Sequence, residues 1–194
     1  MHTAEEVLTT NTARLAAKAL VNSEIRIRGR RDAPLSTDGL RQEGRETLLL
    51  FPSPYAEELN EEFVARVPGP VNLIVPDGSW RQAQKMVRRE QLLGEIRHVK
   101  LPLGEPSLYK LRNQPEEQGL CTLEAIARSL GILESRDVQS RLEALLTVMV
   151  QRTLWARGSL TPEQYAAADI PPEAFSNEPS RKFPGDEPWF RARG

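Results

Sequence analysis

The chain has 194 residues, enough for one full domain or one domain with a tail. Hydrophobic residues make up 39% and charged residues 27%, a globular balance that excludes disorder throughout. The net charge of −1 excludes a uniformly basic nucleic-acid binder, and the single cysteine excludes a disulfide framework and a Cys-only zinc site within these residues. No segment approaches the roughly 20 apolar residues of a membrane span and the first residues do not resemble a signal peptide, so we expect a cytoplasmic protein with no membrane contact.

The first elements in chain order are a helix and two strands. Apolar residues at helical spacing predict a helix over residues 12–20, with Asn11 or Thr12 as its N-cap. The alternation of apolar and polar residues over 23–29 predicts a half-buried strand. Residues 47–51 form a continuous apolar run, which is typical of a strand buried on both faces.

The remaining segments alternate between strand and helix patterns. Further strands are predicted over 71–76, again buried, and 96–101, and helices over 55–67, from about residue 79, over 123–133 and over 141–156. This order favours an α/β domain with a largely parallel sheet flanked by helices. Five of the 15 prolines fall in the last 25 residues, so residues 158–194 should form an extended or loosely docked extension.

Ligands of open α/β sheets lie beyond the carboxyl ends of strands, which points first to Phe51-Pro52-Ser53 and then to the turn Pro76-Asp77-Gly78-Ser79 between a predicted strand and a helix. Ser79 and Gln82 have the spacing of a capping box. Free backbone N–H groups at the helix start suit a carboxylate or phosphate, and Gly78 allows a close approach. Asp77 can accept a hydrogen bond from an amine, a ribose hydroxyl or an acidic N–H. The alternative is a purely structural loop and cap, with Trp80 in the core.

Basic residues recur at i, i+4, i+7 and i+8 on the predicted helix, at Arg81, Lys85, Arg88 and Arg89. Between residues 81 and 112, eight basic and three acidic residues give a local balance of +5. Such a concentration is the electrostatic footprint of contact with RNA phosphates, and the alternative is a solvated helix face. The chain also has 21 arginines against five lysines, which mildly favours an anionic partner unless it only reflects a GC-rich genome.

A second polar cluster follows in the loop over residues 104–115, whose notable members are Ser107, Tyr109 and Arg112. An aromatic ring beside arginine can stack on a base, although a buried anchor is the commoner role for such a tyrosine. Thr122 is a candidate N-cap for the next helix, and Glu124 lies in its first turn. We interpret Cys121 as a small packed residue.

Six short motifs occur in a fixed order: Asn11-Thr-Ala-Arg-Leu15, Asn22-Ser23, Leu50-Phe-Pro-Ser53, Asp77-Gly-Ser-Trp80, Tyr109-Lys-Leu-Arg-Asn-Gln-Pro115 and Leu120-Cys-Thr-Leu-Glu-Ala-Ile-Ala127. This ordered set resembles the DTW-domain family over about residues 2–157. The resemblance implies a tRNA-uridine aminocarboxypropyltransferase, which transfers the 3-amino-3-carboxypropyl group of S-adenosylmethionine to N3 of a uridine in the tRNA variable region. It also implies a knotted α/β fold related to the SPOUT methyltransferases, with the cofactor among the knot loops. Residues 1–157 would then be the catalytic domain.

On this resemblance, Asp77 is expected to be the general base for uridine N3 or the group that orients it. Ser79 and the amides after it would hold the methionine carboxylate or the ribose, and Trp80 would pack against adenosine or the flipped uracil. The residues expected to contact S-adenosylmethionine are Phe51, Pro52, Asp77, Gly78, Ser79, Trp80, Leu101, Tyr109, Thr122, Leu123 and Glu124. Those expected to contact tRNA are Arg81, Lys85, Arg88, Arg89 and Arg112.

The chain departs from the family pattern in three ways. It lacks the N-terminal cysteine cluster of many members, so no metal is predicted and a shortened gene start is one explanation. Ser79 stands where threonine is usual, which retains the hydroxyl. Cys121 stands where serine is common, which removes a good hydrogen-bonding partner for the cofactor. The alternatives to aminocarboxypropyl transfer are a SPOUT-like RNA methyltransferase and a noncatalytic RNA-binding module, and the oligomeric state stays open.

Overall fold

The computed structural model describes residues 1–8, 10–30, 35–109, 111, 119–160 and 164. Within them the strands are β1 (Glu46–Leu50), β2 (Glu57–Glu58), β3 (Val71–Ile74) and β4 (Arg97–Lys100). After a 3₁₀ turn at Thr3–Glu5, the helices are α1 (Thr12–Ala19), α2 (Glu61–Ala65), α3 (Trp80–Arg89), α4 (Gln91–Glu95), α5 (Thr122–Leu133) and α6 (Arg136–Ala156). Arg112 and most of the predicted C-terminal extension lie outside the described residues.

The four strands form one parallel sheet in the order β2-β4-β1-β3, which confirms the predicted α/β class. Strand β1 lies in the centre, and its Leu48 and Leu49 have no exposed surface, as the apolar run predicts. Among the described strands β3 pairs with β1 alone and lies at an edge, where its residues are only half-buried. The prediction of a fully buried strand over 71–76 is therefore wrong.

Alternate side chains of β1 enter two cores on opposite faces of the sheet, because successive strand residues point to opposite sides. Leu49 packs in one cluster with Met86 of α3, and Leu48 packs in the other with Phe63 of α2. A third cluster joins α1, α5 and α6. Helices therefore cover both faces of the sheet.

The helix predicted over 55–67 is much shorter in the structure. Residues Glu57 and Glu58 pair with β4 as the edge strand β2. The Asn60 side chain then caps α2 by accepting a hydrogen bond from the Phe63 N–H at 2.8 Å. Helix α6 begins five residues before its predicted start, because Ser135 serves as its N-cap.

The strand predicted over residues 23–29 does not form. Burial does not alternate in this segment, because Arg26 and Arg28 are half-buried as well as Ile25 and Ile27. Its backbone bonds to residues 1–3 and forms an isolated bridge between Arg28 and His2, whereas a strand needs a longer ladder with a partner. Helix α4 was not expected from the sequence.

Candidate active site

The candidate site lies at the carboxyl edge of the sheet, where β1, β3 and β4 end together because they are parallel. Phe51 follows β1 and donates its N–H to the Val99 carbonyl oxygen at 2.9 Å, which extends the pairing with β4 by one residue. Asp77 follows β3, and Leu101 follows β4. The topology thus brings together the ends of the strands that the sequence marked as candidates.

The turn from β3 into α3 has the predicted capping box. The Ser79 hydroxyl accepts from the Gln82 N–H at 3.4 Å, and the Gln82 side chain accepts from the Ser79 N–H at 2.7 Å. Gly78 before it has a φ of +152°, and a Cβ there would lie 3.0 Å from Gln82 Oε1. Glycine is required at this position because a side chain would strain the backbone and press on the cap.

Asp77 is 6% exposed and joins three segments of the fold. Its Oδ1 accepts a hydrogen bond from the Thr122 hydroxyl at 2.5 Å, and its Oδ2 accepts one from the Asn11 side-chain amide at 3.0 Å. Asn11 is also the N-cap of α1, and Thr122 is the first residue of α5. We call Asp77, Asn11 and Thr122 the Asp77 hub. The carboxylate meets two helix N-termini, where backbone dipoles favour a negative charge.

A second buried acid, Glu124, fixes the loop before α5. It is 1% exposed and accepts hydrogen bonds from the Ser107 hydroxyl at 2.6 Å, the Leu108 N–H at 2.5 Å and the Cys121 N–H at 3.0 Å. The N-cap of α5 is Cys121, so the prediction of Thr122 in that role is wrong, and its hydroxyl serves Asp77 instead. Burial raises the pKa of the Cys121 thiol to about 12, which leaves it unreactive, in line with its interpretation as a packed residue.

Trp80 lies at the surface of the site. Its ring stacks on Phe51 with 5.3 Å between centroids and 46% of the residue remains exposed, so the alternative of a core tryptophan is wrong. Behind it, Phe51 makes an edge contact with His98, and Tyr55 packs against the same imidazole. These rings form a row with buried members inside and exposed members, Trp80 and Tyr55, at its ends.

Other predicted contacts are part of the core. Tyr109 is buried, and its hydroxyl donates to the Thr10 carbonyl oxygen at 3.5 Å. Leu123 has no exposed surface, and Leu101 is half-buried against the core on the α2 side. Tyr109 thus has the anchoring role that its residue type most often takes. Pro52 and Ser79, by contrast, are exposed.

The four basic residues of α3, here called the basic stripe, are all exposed. Within the described part of the chain none of them forms an ion pair, whereas Arg28 pairs with Glu90 and Arg97 pairs with Glu57. A shallow depression of about 310 Å³ lies among Arg81, Gln84, Lys85 and Arg88. The stripe therefore presents uncompensated positive charge next to Trp80. Arg112, predicted to act with it, lies outside the described residues.

The sequence interpretation missed a polar pair at the same edge. Ser53 and His98 lie 2.9 Å apart through the serine Oγ and the imidazole Nδ1, and His98 is 2% exposed. The sequence interpretation pointed to Ser53 through its position just past β1 and its place in the Leu50-Phe-Pro-Ser53 motif, but it did not identify His98 as the partner. Nothing in the sequence connects it with a histidine 45 residues away.

A family model described as the DTW domain matches residues 1–154. The chain belongs to the DTW domain family. The resemblance carried by the six ordered motifs is thereby confirmed. The match includes the Asp77 hub, the capping box of α3 and the basic stripe.

This DTW domain is similar to curated proteins from animals. It is 36% identical over 143 residues to the tRNA-uridine aminocarboxypropyltransferase 2 of Macaca fascicularis, covering 70% of this chain and 47% of that protein. It is 42% identical over 91 residues to the protein of the same name in Drosophila melanogaster, covering 47% of this chain and 36% of the relative. The chain thus spans less than half the length of these relatives. No solved structure matches it significantly.

The described part of this DTW domain lacks both a membrane-spanning helix and a cluster of metal-binding side chains. No helix in the described part of the chain combines the length and apolar character needed to cross a membrane. The same residues hold no group of three or more His, Cys, Asp or Glu side chains placed to bind a metal ion.

Proposed function

We propose that the protein is a tRNA-uridine aminocarboxypropyltransferase, which moves the 3-amino-3-carboxypropyl group of S-adenosylmethionine to N3 of a uridine in the tRNA variable region. The observation that carries this proposal is the similarity of 70% of the chain, at 36% identity, to a relative of that name. The relatives are longer than this chain, so the activity and both substrates are proposed for this protein. A cytoplasmic location follows from the tRNA substrate and belongs to the same proposal.

The start of α3 supports S-adenosylmethionine as the group donor. The first intrahelical hydrogen bond runs from the Ala83 N–H to the Ser79 carbonyl oxygen, so the amides of Trp80 and Arg81 lie ahead of it. They fit a carboxylate such as that of the methionine part of the donor. The exposed ring of Trp80 offers an apolar face to adenine or uracil. The donor supplies an alkyl carbon that is activated by a positively charged sulfur.

The other predicted contacts divide between the surface of this proposed site and the core beneath it. We assign Phe51, Pro52 and Leu101 to the strand ends and Thr122 to the α5 side. Leu123, Glu124 and Tyr109 are buried and would support the site from the core. The knotted SPOUT-like arrangement is part of the proposal as well. The parallel sheet with helices on both faces is compatible with it, and the family resemblance carries it. The division into 1–157 and a C-terminal extension stays a prediction.

Of the two roles predicted for Asp77, we favour the orienting one. Both carboxylate oxygens accept hydrogen bonds from Asn11 and Thr122, which supports a role in holding α1 and α5 against the turn. Proton removal by Asp77 would compete with these bonds. The basic stripe is proposed to bind tRNA phosphates because its charges have no partners among the described residues.

The test is to incubate the purified protein with S-adenosylmethionine and unmodified tRNA and to identify the small-molecule product. Aminocarboxypropyl transfer leaves methylthioadenosine, and nuclease digestion of the tRNA should yield a uridine carrying the new group. Release of S-adenosylhomocysteine would instead identify a methyltransferase. A protein that binds tRNA but gives no calorimetric binding of S-adenosylmethionine would be an RNA-binding module.

A further inference from the structure

His98 and Ser53 form a pair that the roles assigned above do not use. His98 lies in β4 and is 2% exposed, and Ser53 is half-buried two residues after Phe51. His98 Nδ1 is 2.9 Å from Ser53 Oγ, and its Nε2 is 3.0 Å from the Leu93 carbonyl oxygen. Both ring nitrogens of a buried imidazole therefore have a partner.

The two partners fix where the ring proton lies. A carbonyl oxygen only accepts hydrogen bonds, so His98 Nε2 carries the proton and donates it to Leu93. When the ring carries this one proton, Nδ1 is an acceptor, and the Ser53 hydroxyl donates to it. The Ser53 oxygen retains lone pairs for a donor on a ligand. This is the arrangement in which a histidine activates a neighbouring hydroxyl.

Two aromatic rings contact the imidazole of His98. Tyr55 packs with 4.7 Å between ring centroids, and Phe51 makes an edge contact at 6.3 Å. Trp80 stacks on Phe51, so the Ser53–His98 pair belongs to the same row of rings as the exposed tryptophan of the proposed site. Because His98 itself is almost fully enclosed, a ligand can reach it only through Ser53.

The carboxylate of Asp77 differs from the Ser53 hydroxyl, because each of its oxygens already accepts a hydrogen bond. These two bonds come from groups that hold α1 and α5 in place. The Ser53 hydroxyl donates to His98 but accepts no hydrogen bond from any described residue. The pair is therefore better placed than Asp77 to take a proton from a bound molecule.

Resting on the proposed function, we propose that Ser53 and His98 take up the N3 proton of the uridine. Ser53 Oγ accepts the N3–H, and His98, which acts through Ser53, holds the hydroxyl and receives its proton on Nδ1. Leu93 stabilises the protonated ring by accepting from Nε2. A positioned proton acceptor of this kind contributes on the order of 10²- to 10⁴-fold in rate.

The step transfers two protons and replaces the C–S bond of the donor by an N–C bond. The N3–H bond breaks and its proton joins Ser53 Oγ, while the former hydroxyl proton moves to His98 Nδ1. The electron pair left on N3 forms the new N–C bond. The C–S bond of the donor breaks, and its pair stays on sulfur, giving methylthioadenosine. The proton on His98 passes to solvent after the products leave.

The experiment measures kcat and KM for wild type, Ser53→Ala, Ser53→Thr and His98→Gln, each with tRNA that contains uridine or 5-fluorouridine. Fluorine makes N3–H more acidic, so a missing proton acceptor matters less. We expect Ser53→Ala and His98→Gln to lower kcat by about 100-fold with little change in KM. With 5-fluorouridine, the ratio of wild-type kcat to variant kcat should fall at least about tenfold. Ser53→Thr keeps a hydroxyl and should recover part of the rate. Ser36→Ala, in an exposed loop, is the control.

The outcomes distinguish failure of the proposed function from failure of the role of Ser53 and His98. A wild-type protein that releases no methylthioadenosine overturns the proposed function and this inference with it. Wild-type transfer that Ser53→Ala leaves unchanged overturns the inference alone. So does a slow Ser53→Ala enzyme that 5-fluorouridine does not help, because the hydroxyl would then be only structural. If His98→Gln fails to fold, the comparison of Ser53→Ala with Ser53→Thr still decides.

Discussion

The Asp77 hub and the basic stripe lie next to each other along the chain and use charge in opposite ways. Asp77 is buried, and both its oxygens accept hydrogen bonds from distant parts of the fold. The stripe residues are exposed, and none of them has an ion-pair partner in the described ranges. The buried charge contributes to assembly of the site, whereas the exposed charges are free to attract a ligand. Substitutions in the Asp77 hub should therefore mainly lower stability, whereas substitutions in the basic stripe should mainly weaken binding.

The largest expected effect is on the hub. Asp77→Ala leaves the Asn11 amide and the Thr122 hydroxyl without their shared acceptor in a buried place, which should lower the free energy of unfolding by about 3 kcal/mol. Asp77→Asn should cost only about 1 kcal/mol, because the Thr122 hydroxyl can turn and accept from the new amide. Urea denaturation measures both. Equal losses for the two variants would show that the hydrogen bonds are not what Asp77 contributes.

A smaller effect is expected at Gly78, between the two regions. Gly78→Ala should cost about 1–2 kcal/mol, because φ is +152° and the new Cβ would press on Gln82 in the capping box. Gly94→Ala is the matched control, since a Cβ there has no neighbour within 4 Å and the helix should gain slightly. Thermal unfolding of the two variants should shift in opposite directions, and a shared direction would contradict the strain argument.

The smallest effect on stability is expected in the basic stripe. Replacing Lys85 and Arg88 by glutamate should change the unfolding free energy by less than about 0.5 kcal/mol. The same variant should bind tRNA more weakly and reduce the slope of log K against log salt by about two. Filter binding over a salt series measures this. Reversal of Lys18 and Arg152, exposed on other helices, is the control and should leave tRNA binding closer to wild type.

The sequence predicted those parts of the fold that depend on neighbouring residues. The apolar run of β1, the Asn11 cap of α1 and the Ser79–Gln82 capping box are confirmed, because each depends on residues within one or two turns. The strand expected over 23–29 failed because its pattern could not show whether a partner strand lay beside it.

The candidate site was located by sequence, but its internal connections were not. Asp77 bonds to Asn11 across 66 residues and to Thr122 across 45, and His98 bonds to Ser53 across 45. Such pairs depend on strand order and helix docking, which periodicity does not contain. The family resemblance made Asp77 a general-base candidate, and the structural reading of the turn made Trp80 a core candidate. Only the tertiary contacts distinguish these roles from the ones the structure shows.

The residues of the Asp77 hub lie far apart in the sequence, and this separation affects the order in which the chain folds. Contacts between residues this far apart form late, because closing a long loop carries a large entropic cost before any contact compensates for it. A chain emerging from the ribosome cannot complete the hub until Thr122 is available to meet Asn11 and Asp77. Partly synthesised or partly unfolded chains would thus expose the positive helix without an assembled hub beside it. On the proposed function, we expect such chains to retain RNA binding and to lack transfer activity.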